Sequence, residues 1–192
     1  MSWLPKPFRH VTPVDGCFAV GGQVERPNSS LGFDELARID ARFQVDDVGA
    51  YASSARVEGP PLCGVRIQAF IDMCGAAPEA LYVIVRTHAG FSASVWRHEI
   101  ERLAIVAYAR GNDPLPAELG GPFRLLLPGF KDEARDLFDL ASIEFSARRA
   151  PDSINRRARI PRHSTQPGEI QGGLKRAVVD AAHARTLISP EP

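Results

Sequence analysis

The chain has 192 residues, with 23 Lys and Arg balanced by 23 Asp and Glu, and 44% of its residues are hydrophobic. A formal net charge of zero leaves no global field to draw it to nucleic acid or a membrane surface, and no apolar run approaches the roughly 20 residues of a spanning helix. The 16 Gly and 16 Pro favour a loop-rich β or α+β domain over a helix bundle.

Residues 1–16 are Pro-rich and read as an N-terminal arm strapped to the domain. Their opening, MSWLPKPFRH, lacks the apolar core of a secretory signal, so a cytoplasmic location is expected. Cys17 to Val24 reads as a strand, with Gly21-Gly22 marking a bulge or a close backbone approach. Pro27 to Ser30 is expected to form a turn and cap for a short helix, Phe33 to Ile39. Phe43 to Val48 alternates as a strand does, and Tyr51 to Pro61 is polar loop. Val65, Ile67, Phe70, Ile71 and Cys74 recur at helical spacing before Gly75. Leu81 to Arg86 is the uninterrupted β-branched run of a buried strand, Phe91 to Val95 follows it, and His98 to Leu103 reads as a helical turn. Ile105 to Tyr108, Phe123 to Leu127 and Leu137 to Phe145 supply further strands. Short strands with a few small helices, and no regular βαβ alternation, predict a mixed-sheet α+β fold over residues 17–146.

After Phe145 six arginines, from Arg148 to Arg162, face one acid, Asp152, among Pro, Ser and Gly. Such a segment has too little apolar surface for a core, and it lacks the interleaved aromatics that stack bases. Residues 147–192 therefore read as an Arg-rich arm ending in a weakly amphipathic helix, Leu174 to Leu187, able to dock on the domain or on a partner. Cys17, Cys63 and Cys74 are odd in number and have no CxxC spacing. They indicate neither a zinc site nor a disulfide framework and default to small buried hydrophobes in a reducing compartment.

The most informative stretch runs from Ala104 to Lys131, where two apolar runs frame a Pro- and Gly-rich loop. Loops held on strands carry function more often than the strands themselves. The wording of this loop, Asn112-Asp113-Pro114-Leu115-Pro116, then Gly120-Gly121-Pro122-Phe123-Arg124-Leu125 and Pro128-Gly129, resembles the molybdopterin-binding domain of sulfite-oxidase-like oxidoreductases. Similar phrases occur in order from Phe18 to Phe145: Phe18 to Pro27 resembles that family's first strand, Gly64-Val65-Arg66-Ile67 its "W-x-G-V-x-L", Thr87 to Ser94 its "S-x-D-G-Y-x-x-S", and Ile143-Glu144 its closing strand. The resemblance implies a pterin cofactor carrying molybdenum, oxygen-atom transfer, and a redox partner protein. Asn112 and Arg124 persist from the family's motif and suit an anionic pterin or another small anionic ligand, an Arg fork being suited to phosphate, and His88, beside Thr87 and Gly90, is a further candidate for the same site by its residue type.

Several departures bear on chemistry. The family's metal-binding thiolate belongs in the loop before "W-x-G"; here that loop, Tyr51 to Pro61, holds no cysteine, and Ala52 to Ser54 fall near the expected place. Leu62 stands for the tryptophan, Leu119 for a histidine and Ala89 for the aspartate, and the lysine of the last strand is missing from Asp136 to Leu140. Cys63, beyond the loop, is the one sulfur near enough to be a metal ligand. As a residue type each candidate also has a plain alternative: Arg124 a surface ion pair, Asn112 turn chemistry, His88 a polar turn, Cys63 packing. Three readings follow. The chain is a divergent molybdenum oxidoreductase, a binding module that kept the fold without the metal, or an interaction subunit docking through its C-terminal arm.

Overall fold

In the computed structural model the described residues are 6–52, 55–128 and 136–151, and they build two sheets. The first has the strand order β2-β1-β10-β5-β6, and the second β3-β4-β7-β8 with β9 also paired to β7. The strands are β1 (Phe18–Gly22), β2 (Asn28–Leu31), β3 (Gln44–Val45), β4 (Leu62–Arg66), β5 (Tyr82–Thr87), β6 (Ser92–Trp96), β7 (Ile105–Arg110), β8 (Asp113–Pro114), β9 (Arg124–Leu126) and β10 (Leu140–Ser146). Helices α1 (Phe33–Ala37), α2 (Gln68–Cys74) and α3 (Arg97–Ile100) are short. The fold is α+β, as expected. The first sheet is mixed, since β1 runs parallel to β10 and every other pairing is antiparallel.

Alternation places the apolar residues. Phe18 and Val20 of β1, Val83 and Val85 of β5, and Ile143 and Phe145 of β10 face Val65, Val106 and Leu125 of the second sheet, with Phe70 and Ile71 of α2 closing the layer. Phe18 sits at its centre, its ring edge-on to Phe70 at 5.4 Å and tilted against Phe123 at 5.1 Å. The opposite face of the second sheet carries a smaller cluster. There Leu62, Ile105, Ala107 and Leu126 are covered by Val48, Ala52 and Ala55 from the irregular segment after β3, and by Leu115.

Gly22 explains part of the entry motif. Its φ is +85°, and a Cβ there would run into the backbone of Phe145 on the parallel neighbour. The N-terminal arm is tied down by reciprocal main-chain bonds between Arg9 and Gly22 and by Lys6, whose ammonium lies 2.8 Å from Glu25. His10 reaches the carboxylate of Glu144, a nearly inaccessible residue also paired with Arg86 at 3.2 Å.

Two expected elements differ. Residues 28–31 form edge strand β2 rather than a turn and cap, and α1 is instead capped by Gly32, whose N–H donates to the Glu35 carboxylate at 3.1 Å. Val65 belongs to β4, so the helix starts after Ile67; Gly75 ends it in the left-handed region, as expected. The expected helix Leu174 to Leu187 and most of the Arg-rich arm lie outside the described residues. The arm's first residues, up to Pro151, are bonded to β6: Ala150 N–H donates to Ser94 and the Ser92 hydroxyl to the Pro151 carbonyl.

Candidate functional site

Strand β7 is the spine of the candidate site. It is the buried middle strand of its sheet, flanked by β4 on one side and by β9 and then β8 on the other. Gly111, at φ +59°, turns the chain at its end, β8 folds back so that Ala109 faces Pro114, and Leu115 N–H donates to the Tyr108 carbonyl. A short 3-10 turn, Ala117–Leu119, then leads to the Gly-Gly-Pro motif. The motif is a packing solution: Gly120 has φ +92° and lies so close to the Phe138 ring that a side chain would collide with it, while Gly121 abuts the Leu115 carbonyl.

The residues expected from sequence fall into two neighbourhoods. Cys63, paired with Ala109, lies beside the Gly111 turn that carries Asn112. The Cys63 thiol, with one proton to donate, lies 3.4 Å from the Asp46 carbonyl and 3.6 Å from that of Gly111, and Asn112 is exposed on the turn beside Gly111. Tyr108, which the sequence reading had only as part of an apolar run, joins this group: its hydroxyl donates to Gln44 at 3.2 Å and its ring lies 5.7 Å from Phe33. Burial, reinforced by Asp46, pushes the Cys63 thiol up from its ordinary value, and burial does the same to the Tyr108 hydroxyl.

Arg124 lies opposite Ala107, at the other neighbourhood. The resemblance implies that Arg124 faces an anionic ligand; in the structure its side chain is enclosed by protein groups. Arg124 is 5% exposed. Its guanidinium pairs with Asp136 at 2.8 Å, donates to the Leu119 carbonyl at 3.4 Å, and stacks 4.7 Å from the Phe138 ring centroid. His88 is exposed on the β5–β6 turn, and its N–H donates to the Asp139 carbonyl while Asp139 N–H donates to Gly120. Residues 136–140 thus tie the His88 turn to the Gly-Gly-Pro loop.

The residues present do not fit a thiolate-bound metal. The Cys63 sulfur already faces the carbonyl oxygens of Asp46 and Gly111, which would repel the thiolate that ligation requires. Cys63 sits as a partly buried, hydrogen-bonded thiol packed against the main core. Its sulfur is engaged by carbonyl oxygens while the residue packs against the main core. Among the described residues no group of three or more His, Cys, Asp or Glu is placed to hold a metal ion.

A cleft of about 390 Å³ opens at the other end of β4, around Arg42, Arg66 and Arg102. Cys63, His88, Asn112 and Arg124 do not line it. No helix among the described residues is long and apolar enough to cross a membrane.

Two facing sheets with a strand–loop–strand frame built on Asn112, the Gly-Gly-Pro turn and Arg124 define a cofactor-domain scaffold of the sulfite-oxidase type. The family model for the oxidoreductase molybdopterin binding domain matches residues 12–151, and the chain belongs to that family. Among solved structures it is similar to the sulfane dehydrogenase SoxCD from Paracoccus pantotrophus, with a TM-score of 0.56 and 17% identity. That match covers 71% of this chain and 39% of the other, so the likeness is one of fold over a minor part of the larger chain. Comparison with curated proteins finds no match.

Proposed function

We propose that this domain keeps the family scaffold as a binding domain for the pterin cofactor, or another small anionic ligand, at the loop between β7 and β9, without supplying a thiolate to a metal. The observation that carries this reading is the state of Cys63, whose sulfur is engaged by the Asp46 and Gly111 carbonyls. The absence of cysteine from residues 51–61 supports the same conclusion. Asn112 on the exposed turn and His88 on the adjoining hairpin are the side chains this reading assigns to the ligand. Arg124 then acts by fixing the loop through Asp136 and Phe138. The thiols Cys17, Cys63 and Cys74 are all free, which suits a reducing compartment, and the cytoplasm is the location assigned.

A second reading is a working molybdenum oxidoreductase that passes oxygen atoms or electrons to a redox partner protein. One observation favours it: the Cys63 sulfur lies beside the turn that carries Asn112. Protein purified from molybdate-replete cells separates the two. Pterin retained with molybdenum well below one equivalent, and unchanged in Cys63→Ser, is the expected result. Stoichiometric molybdenum that disappears in a folded Cys63→Ser variant would establish the second reading. Protein carrying neither pterin nor metal would remove the pterin from the proposal.

A further inference from the structure

The cleft at the far end of β4 is assembled by strand register from three distant parts of the sequence. Gln44 pairs with Val65, which puts Arg42, just before β3, beside the end of β4. Arg66 pairs with Ile105, which puts Arg102, just before β7, at the same corner. Gln68 and Asp72 of α2 and Glu101 complete the wall, with Phe43 on the floor.

The two acids of the cleft are already engaged. Asp72 accepts from Gln68 Nε2 at 2.7 Å and faces Arg42 at 3.9 Å, and Glu101 pairs with Arg97 at 3.4 Å. Arg42 is further held by Asp40 at 3.6 Å and stacks on the Phe43 ring at 4.5 Å. Arg66 and Arg102 are different: among the described residues neither has a carboxylate partner within ion-pair distance. Among these residues Arg66 faces the Tyr51 ring, 5.1 Å from its guanidinium carbon, a contact that orients the cation and leaves its charge in place. Two uncompensated guanidinium groups thus share one concavity whose volume is within the usual range of small-molecule sites.

We propose that this cleft is a second ligand site, distinct from the β7–β9 loop, and that it binds the phosphate group of a small phosphate ester between Arg66 and Arg102. A guanidinium presents a planar fork of N–H donors matched to two oxygens of a tetrahedral anion. The flanking acids disfavour a bare cation–anion slot open to any polyanion: Asp72 and Glu101 repel an extended chain of phosphates such as a nucleic-acid backbone and leave room for one compact group. The site stands independently of the pterin reading, because it shares no residue with it.

Isothermal titration of the full chain with inorganic phosphate, at fixed ionic strength, tests the proposal. Saturable one-site binding is expected, weakened roughly ten-fold or more by Arg66→Gln combined with Arg102→Gln, as the loss of charge-assisted hydrogen bonds dictates. Arg42→Gln, whose charge is shared with two acids, should have a smaller effect, and Asp72→Asn should tighten binding. Circular dichroism and melting temperature establish that each variant is folded, and its pterin content should match that of the parent. Absence of saturable binding, equal displacement by chloride at the same ionic strength, or undiminished affinity in a folded double variant would each overturn the proposal. Loss of pterin together with phosphate binding would show one shared site and overturn it as well.

Discussion

Replacing Arg124 with leucine removes the guanidinium 2.8 Å from Asp136 Oδ2, in a pair whose side chains are 6% and 11% exposed. The carboxylate left behind is a buried, uncompensated charge, a defect that costs about 3–5 kcal/mol. Losing the stacked contact with Phe138 at 4.7 Å adds about 0.5–1 kcal/mol. Since a domain has about 5–15 kcal/mol of stability in total, the single variant should unfold at much lower urea concentration with an unchanged slope. The double variant Arg124→Leu with Asp136→Leu removes both charges and should recover most of the loss, because an apolar pair of similar volume is often neutral or better. Urea titrations followed by circular dichroism, run beside pterin measurements on the same preparations, read both effects. If Arg124→Leu keeps wild-type stability yet loses its ligand, Arg124 is a ligand contact and the structural argument fails. A double variant as unstable as the single would also refute it.

Other outcomes follow from single features. Gly22→Ala, which drives a Cβ into the Phe145 backbone at φ +85°, should cost more than about 2 kcal/mol, visible as a lowered melting temperature. Burial raises the Cys74 thiol from 9.0 to about 11; the folded state holds this proton more tightly, so its contribution is complete below pH 9 and is lost as pH climbs towards 11. A decline on the order of 2 kcal/mol over that interval, absent from Cys74→Ala, is the expected signature in denaturation curves. At neutral pH Cys63 should react with a thiol-specific reagent more slowly than the unfolded chain does, its proton being held by burial and by Asp46; stopped-flow labelling measures the ratio. Deleting residues 1–11 takes away the Arg9–Gly22 bonds and the His10 contact to Glu144, and should lower the melting temperature without dissolving the sheets.

Sequence pattern was a good guide where one strand carries its own signal. The β-branched runs of β5 and β7 and the apolar β9 needed no partner to be recognised, and Gly75 ended its helix by backbone chemistry. Junctions were harder. Val65 and Ile67 alternate in a strand while Ile67, Phe70, Ile71 and Cys74 follow a helix, and with no Gly or Pro between them the two patterns merge into one. Asn28, Ser29 and Ser30 look like a turn because an edge strand with one partner needs little apolar surface. At the site, the motif located the loop but not the surroundings of Arg124, whose acidic partner arrives only when residues 136–140 cross the Gly-Gly-Pro turn. The corner of Arg42, Arg66 and Arg102 is invisible in sequence for a related reason: register alone unites it.

The parallel pairing of β1 with β10 has a consequence for how the protein is made. Residues 19–22 emerge early from the ribosome, yet their hydrogen-bonding neighbours, residues 142–145, come last in the sheet. Until Phe145 is available, one whole edge of β1, including Phe18 and Val20 of the future core, has no mate, and β5 waits likewise for β10. The closing strand is therefore a late step of synthesis: it inserts between two segments already made and completes the larger sheet at its middle. Contacts of such long sequence separation fold slowly and leave strand edges open to other chains meanwhile. Nascent chains halted before residue 140 should accordingly be protease-sensitive and prone to aggregate, and those carried past residue 146 should become resistant.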